Sequence, residues 1–315
     1  MKELCPDGTH EAALTRRFAL LDVFTRSPLE GNQLAVVLDS EGLSPERMLA
    51  ITREFNLAET VFVLPPERPG HRAHLRIFCP AYEMPFAGHP TVGTAVLLAL
   101  ETFGADAAGQ DAVFVVEETV GDIRCAVALH SGRAGHAIFD VPRQAERIEA
   151  EIDEAALAAM LGLEPSQLGC ENHRPSVYTA GVPYLLVPVR DLAAIDRARP
   201  MIQHWRDAMP AGVASAYLYT RETTTQDHQF HARMFWLGEG IIEDPATGSA
   251  AAAFAGAIAA FDQLPSGTHR FVIEQGFEIN RPSLISLEVD VENHALNASR
   301  IGGDAVLIAR GTLDI

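Results

Sequence analysis

The sequence predicts an α+β protein of two similar domains, each a curved, mostly antiparallel sheet or barrel wrapped around one central helix. Three observations carry this expectation. The first is an internal repeat: Phe86 to Ala95 reads Phe-Ala-Gly-His-Pro-Thr-Val-Gly-Thr-Ala, and Glu243 to Ala250 reads Glu-Asp-Pro-Ala-Thr-Gly-Ser-Ala. One offset sets His89 against Asp244, Pro90 against Pro245, Gly93 against Gly248 and Thr94 against Ser249. Strand-like stretches, Arg76 to Phe78 and Arg233 to Phe235, precede the two copies, and repetition of a strand, a loop and a Pro-started helix at half the chain length marks a duplicated domain. The second observation is that the run Ala250 to Ile258 is apolar on every side, so that helix must be wrapped. The third is the number of short strand patterns between turn signals, which favours sheets closed around those helices.

The elements follow in order. Residues 1–17 read as a polar extension. Phe18 to Phe24 and Leu34 to Leu38 are strands flanking a loop with Pro28, Gly31 and Asn32. Ser44-Pro45-Glu46 supplies an N-cap and a proline at the first helical position, and Met48, Ile51 and Phe55 keep helical spacing up to Asn56. Strands Val61 to Leu64 and Ala73 to Phe78 lead into the first repeated loop and a helix from Pro90 to Phe103. Val113 to Glu117, Gly121 to Leu129 and Ala137 to Val141 complete the first domain, taken as residues 18–145. The second, residues 146–315, opens with a helix from Asp153 to Leu161 closed by Gly162. Strands Val177 to Ala180 and Tyr184 to Pro188 follow, then helical material between Leu192 and Met209. Strands Val213 to Thr220 and His231 to Leu237 precede the second repeated loop and its Ala-rich helix. Arg270 to Gln275, Ser283 to Val291 and Ala305 to Leu313 are the closing strands, with a hairpin turn expected at Gly302-Gly303 and the last strand free to pack on the first domain.

A chain of 315 residues with 48% hydrophobic and 21% charged residues suits about two globular domains with a sizeable core. Its formal charge of −18 argues against nucleic acid or an anionic membrane as partner and for a small-molecule ligand. The start of the chain does not read as a secretory signal, and the Ala-rich stretch is shorter than the roughly 20 residues of a membrane span. Cys5, Cys79, Cys125 and Cys170 are scattered without a CxxC pair, as suits a reducing cytoplasm with neither a disulfide framework nor a thiolate zinc site.

The chemistry is expected where the two repeated helices begin. Free backbone N–H groups at a helix start favour an anion, and two starts facing each other would form a cleft for a carboxylate. His89 and Asp244 are placed at the matching N-cap positions. Aspartate is a favoured cap, but histidine is a poor one, which points to a functional role for His89; a neutral imidazole is expected beside a helix N-terminus. Glu59, flanked by Leu57, Ala58, Val61 and Phe62, is the acid/base candidate, because partial burial would raise its pKa toward neutrality. At the corresponding offset the second half reads Val213-Ala214-Ser215-Ala216, without a carboxylate. The pairs His71/His74 and His228/His231 lack acidic residues in step and read as surface histidines, so no metal is expected. No GxGxxG or GxxxxGK[ST] occurs, so no nucleotide cofactor is expected. Ser249 lacks the Gly-x-Ser-x-Gly frame of a hydrolase nucleophile.

Asp22 to Thr25, Gly31 to Val37, Asn56 to Val63, Phe86 to Ala95, Glu243 to Ala250, Gln275-Gly276 and Arg281-Pro282 together resemble the PhzF-like phenazine biosynthesis family, in order over nearly the whole chain from about residue 18. The resemblance implies the diaminopimelate epimerase-like fold, two similar halves with a cleft between them, and a homodimer. It also implies a cofactor-independent isomerase: the family's best-understood enzyme moves a hydrogen between ring carbons of a dihydro-hydroxyanthranilate. On that pattern Glu59 is the proton carrier, His89 and Asp244 support the chemistry, and Gly88, Gly248, Ser249 and Thr94 hold the substrate. Relatives of this fold that racemise amino acids use two cysteines at the helix starts, where this chain has none. Gln33 and Ala58 depart from the family's usual proline and serine. A racemase or epimerase using non-thiol bases, and a carboxylate-binding protein without turnover, stand as alternatives.

Overall fold

The computed structural model describes residues 15–238 and 241–315. The expected N-terminal extension therefore lies outside the described residues up to position 14, while its last three positions already belong to the first strand. The first half runs β1 (Thr15–Val23), β2 (Asn32–Val37), α1 (Pro45–Phe55), β3 (Glu59–Leu64), β4 (Ala73–Phe78), β5 (Glu83–Met84), α2 (Gly88–Phe103), β6 (Asp111–Glu118), β7 (Gly121–Ser131) and β8 (Ala134–Asp140). The second half begins with β9 (Glu146–Ile148), α3 (Glu154–Leu161), β10 (Ser176–Thr179), β11 (Pro183–Pro188), α4 (Leu192–Arg197) and α5 (Ile202–Ala208). It continues through β12 (Ser215–Thr220), β13 (Phe230–Leu237), β14 (Ile241–Asp244), α6 (Gly248–Asp262), β15 (Gly267–Gln275), β16 (Ser283–Glu292) and β17 (Ala295–Asp314).

Pairing closes the first sheet into an eight-stranded barrel in the order β1-β2-β3-β4-β6-β7-β8-β17 and back to β1. The second half repeats the scheme as β9-β10-β11-β12-β13-β15-β16-β17. In both, the pairs spanned by a helical crossover are parallel (β2/β3 and β4/β6; β11/β12 and β13/β15), as the geometry of such connections requires. The 20-residue β17 belongs to both sheets. It pairs with β16 through its first part, with β8 through Arg300 to Val306 and with β1 through Ala305 to Asp314.

Each barrel is filled by one helix. Val92, Val96 and Leu97 of α2 and Ala250 to Ala253, Phe254 and Ile258 of α6 are buried on all sides, and each such valine, leucine or phenylalanine stabilises the fold by roughly 1.5–3 kcal/mol. Among the described residues no helix is long and apolar enough to cross a membrane. Local signals are obeyed in α1 and α3. Ser44 caps α1 through the Arg47 N–H and Asn56 ends it in the left-handed region; Asp153 caps α3 and Gly162 ends it likewise.

Strand register corrects how the repeat aligns. Leu34 faces Glu59 where Tyr184 faces Ser215, and Thr60 faces Phe78 where Ala216 faces Phe235. Phe78 then faces Glu83, and Phe235 faces Glu243. The same ion pair confirms the match, Arg76 with Glu83 and Arg233 with Glu243. Glu83-Met84-Pro85-Phe86-Ala87-Gly88-His89 is thus the counterpart of Glu243-Asp244-Pro245-Ala246-Thr247-Gly248-Ser249. Met84, not His89, mirrors Asp244, and His89 mirrors Ser249. The shared Pro-x-x-Gly-Thr/Ser-Ala spacing misleads because it lies inside α2 in one half and straddles the start of α6 in the other.

The expected hairpin at Gly302-Gly303 is also corrected. Both glycines lie within β17, and the β16–β17 turn is Asn293-His294, both with positive φ as a two-residue hairpin turn of the primed type requires. The glycines serve close packing instead: a Cβ on Gly302 would stand 2.8 Å from the Ala137 carbonyl oxygen, and one on Gly303 would stand 2.4 Å from the Phe24 ring.

Candidate active site

The two central helices meet end to end between the halves. A Cβ added to Gly88 would lie 2.7 Å from Gly248 Cα, and one added to Gly248 would lie 3.0 Å from Gly88 Cα, so only glycine permits this approach. The first helical hydrogen bonds run from Thr91 N–H to Ala87 O and from Ala251 N–H to Thr247 O. The N–H groups of Gly88, His89, Gly248, Ser249 and Ala250 therefore have no carbonyl within their own helix. The placement of His89 and Asp244 at N-caps is overturned. The caps are Ala87 and Thr247, neither with a side-chain cap bond. His89 is the second residue of α2, Pro90 the third, where a missing N–H costs no helical bond. Asp244 ends β14, ahead of Pro245 and the helix.

Glu59, His89, Asp244, Ser249, Gly88 and Gly248 nevertheless come together at this junction. Glu59, the first residue of β3, has a side chain only 17% exposed, and its Oε2 lies 3.4 Å from His89 Nε2. Neither atom has a hydrogen-bond partner. Burial pushes Glu59 up to about 8, and the nearby Asp244 carboxylate adds to the shift. Burial lowers His89 to about 3, against the lesser pull of a backbone hydrogen bond with Gln33. The ring is neutral, with Nδ1 3.4 Å from Asn32 Nδ2 and Nε2 facing Glu59. Asp244 is raised to about 6 by burial, opposed by hydrogen bonds from Thr247 and Asn32. Thr94 is not at the helix end. It lies inside the barrel, roughly 9 Å along α2 from Gly88 at the helical rise, and is fully buried.

Three supporting residues were not singled out as site residues from sequence. Asn32, at the start of β2, donates from Nδ2 to Asp244 Oδ1 (3.0 Å) and to the Ala246 carbonyl (2.9 Å). The Tyr184 hydroxyl is 2.7 Å from Ser249 Oγ, and burial holds the phenol far above its usual pKa. Gln275 accepts from Thr247 N–H and donates to Asp244 O, fixing the loop between β14 and α6. Their neighbours are far away in sequence, so only Asn32 and Gln275 left a trace, inside segments that carry the family resemblance.

The histidine pairs are not loose surface groups. His71 Nδ1 lies 2.8 Å from Glu117, and His228 and His231 both lie 2.7 Å from the fully buried Glu274. Glu117 and Glu274 are counterparts by register, opposite His74 and His231. Each carboxylate also accepts backbone N–H groups of the preceding loop, Glu67 and Arg68 or Thr224 and Thr225, so these clusters lock matching loops.

A barrel around a buried helix, its strand scheme repeated in the second half, with a carboxyl and an imidazole where the helices meet, is a fold of the epimerase type. Residues 21–311 match the model of the phenazine biosynthesis-like protein family, and the chain belongs to that family. An uncharacterised isomerase of Mesorhizobium japonicum is 51% identical over 96% of this chain and 99% of its own length. The trans-2,3-dihydro-3-hydroxyanthranilate isomerase of Pseudomonas aeruginosa is 33% identical over 94% of this chain and 98% of its own. The crystal structure of a Bacillus anthracis phenazine biosynthesis protein of the PhzF family superposes with a TM-score of 0.83 at 26% identity, covering 96% of this chain and all of that one. The chain is an isomerase.

Proposed function

We propose that the protein moves a proton within a small carboxylic acid without a cofactor, with Glu59 as the acid/base. The observation that carries this reading is the facing of Glu59 Oε2 and His89 Nε2, two buried atoms without partners, beside the paired helix starts. The pKa of about 8 leaves Glu59 protonated at neutral pH, able to give its proton to one substrate carbon. The resulting carboxylate then takes a proton from another carbon of the same face. The double bond shifts, the acid is regenerated, and no proton is gained or lost overall. His89 Nε2 faces the acid across 3.4 Å and borders the space in which its proton moves. The N–H groups of α2 and α6, with the Ser249 hydroxyl, are the donors for the substrate carboxylate. Asp244 accepts from a hydroxyl or amino substituent.

The test is solvent exchange. In D2O, the enzyme with trans-2,3-dihydro-3-hydroxyanthranilate or a panel of small unsaturated acids is expected to place deuterium on carbon. Glu59→Gln, which keeps the shape and removes the acid, should slow that exchange by on the order of 10²–10⁴-fold. Full exchange in the variant would remove Glu59 from the reaction.

A further inference from the structure

Two carboxyls, Glu59 and Asp244, occupy one water-poor cleft, and a division of labour between them requires something to distinguish them. Their hydrogen bonding does. Asp244 Oδ1 accepts from Asn32 Nδ2 at 3.0 Å and Oδ2 accepts from the Thr247 hydroxyl at 2.5 Å, whereas Glu59 Oε2 has no donor. We propose that Asn32 is a positioning residue that assigns the negative charge of the cleft to Asp244 and so leaves the proton on Glu59. The proposal deepens the reading of the cleft as a proton-transfer site and rests on it for its catalytic consequence.

Donors that bond the charged form stabilise it, and a carboxyl buried without donors keeps its proton. Two acids are driven apart in this way wherever one must act as an acid beside an anion. Asn32 is 2% exposed, so water cannot replace it. Its amide nitrogen donates to Asp244 Oδ1 and Ala246 O, both in the second half, and lies at a longer 3.4 Å from His89 Nδ1, although Asn32 itself begins a strand of the first. The charge assignment therefore depends on the two halves being seated together. Thr247, which donates to the other oxygen of Asp244, shares the task from within the same loop; the remaining groups facing Asp244 cannot make the distinction. Glu59 from β3 and Glu243 from β14 are acidic, the latter already paired with Arg233. His89 from α2 is neutral, and the Tyr184 hydroxyl from β11 is engaged with Ser249. By register, Asn32 stands where Val182 stands in the second half and Asp244 where Met84 stands in the first, so neither partner is required by the fold's repeat.

Carboxyl 13C NMR titration of the intact protein tests this without any substrate. In the wild type, Asp244 should titrate below Glu59. In Asn32→Leu, Asp244 should move up by about one pH unit or more, closing the gap. Asn32→Ser, which removes the long amide with less disturbance, and Thr247→Val, which removes the other donor, should each raise Asp244 if Asn32→Leu does not fold. An Asp244 titration unmoved in a folded Asn32 variant, or Glu59 titrating first in the wild type, would overturn the assignment. The catalytic half is read separately: the acid limb of the exchange rate should follow Asp244 upward in the same variants. A protein that titrates as expected but exchanges no substrate would defeat the isomerase mechanism and leave the role of Asn32 in place.

Discussion

Glu118 brings a carboxyl into the interior of the first barrel with one partner, the Thr91 hydroxyl at 2.7 Å, and a second oxygen that meets no donor. Burial pushes it up to about 8. A group whose folded pKa exceeds its unfolded value stabilises the fold fully below the unfolded pKa, and the contribution is lost as pH rises through the folded one. The window here runs from the ordinary glutamate range to about 8. Glu118→Gln is therefore expected to match the wild type in acid and to be more stable by roughly 1–3 kcal/mol above pH 8. Denaturant unfolding at acid and alkaline pH checks it, and equal alkaline stability of the two proteins would contradict the shift. Thr91 lies two residues beyond His89 on the same helix, so the reservoir of burial cost adjoins the functional junction without entering it.

At the level of elements, the tip-to-tip contact of α2 and α6 is the tightest constraint near the site. Gly88→Ala would drive a methyl to 2.7 Å from Gly248 Cα and 2.9 Å from its carbonyl carbon, both backbone atoms that cannot turn aside. Overpacking of this kind costs about 1–3 kcal/mol, and here the relief available is separation of the two helix starts. Activity should fall at least about tenfold through the lost geometry, whereas Gly132→Ala, with nothing within 4 Å of its new methyl, should behave as wild type. Equal activity of the two variants would show that the contact does not hold the cleft. The same scale shows what sequence could reveal. Ser44, Pro45 and Asn56 bound α1 through contacts within one turn, so that helix was legible to the residue. Gly302-Gly303 was read as a turn because what forbids a side chain there, Ala137 and Phe24, is distant in sequence. Glu59 and His89 were legible as candidates from apolar flanks and from a helix start, whereas the roles of Asp244 and Ser249 came only with the resemblance of their motifs to a family's. Tyr184, whose partner Ser249 is 65 residues away, carried no such mark.

Over the whole molecule, the repeat was legible as a repeat but not in its register, which needed the pairing of strands to show that Met84 mirrors Asp244. The two halves have diverged where α2 and α6 meet and have kept their locks, the Arg76–Glu83 and Arg233–Glu243 pairs and the carboxylates Glu117 and Glu274 with their histidines. β17 binds the halves into one unit, since the first barrel closes only when its final stretch lies between β1 and β8. Residues 1–145 produced alone should expose the unpaired edges of β1 and β8 and lack a cooperative unfolding transition. Co-production with residues 146–315 should restore it. A cooperative, monomeric first half on its own would show that its barrel needs no such closure.

That closing strand also sets an order of events during synthesis. The first barrel can be assembled only as an open, C-shaped sheet while the ribosome is still making the rest, and its seam waits for some of the last residues to emerge. Contacts that join positions nearly 300 apart, Thr15 with Asp314 among them, are the slow kind to form. The nascent chain thus carries an unsealed sheet until β17 lies between β1 and β8.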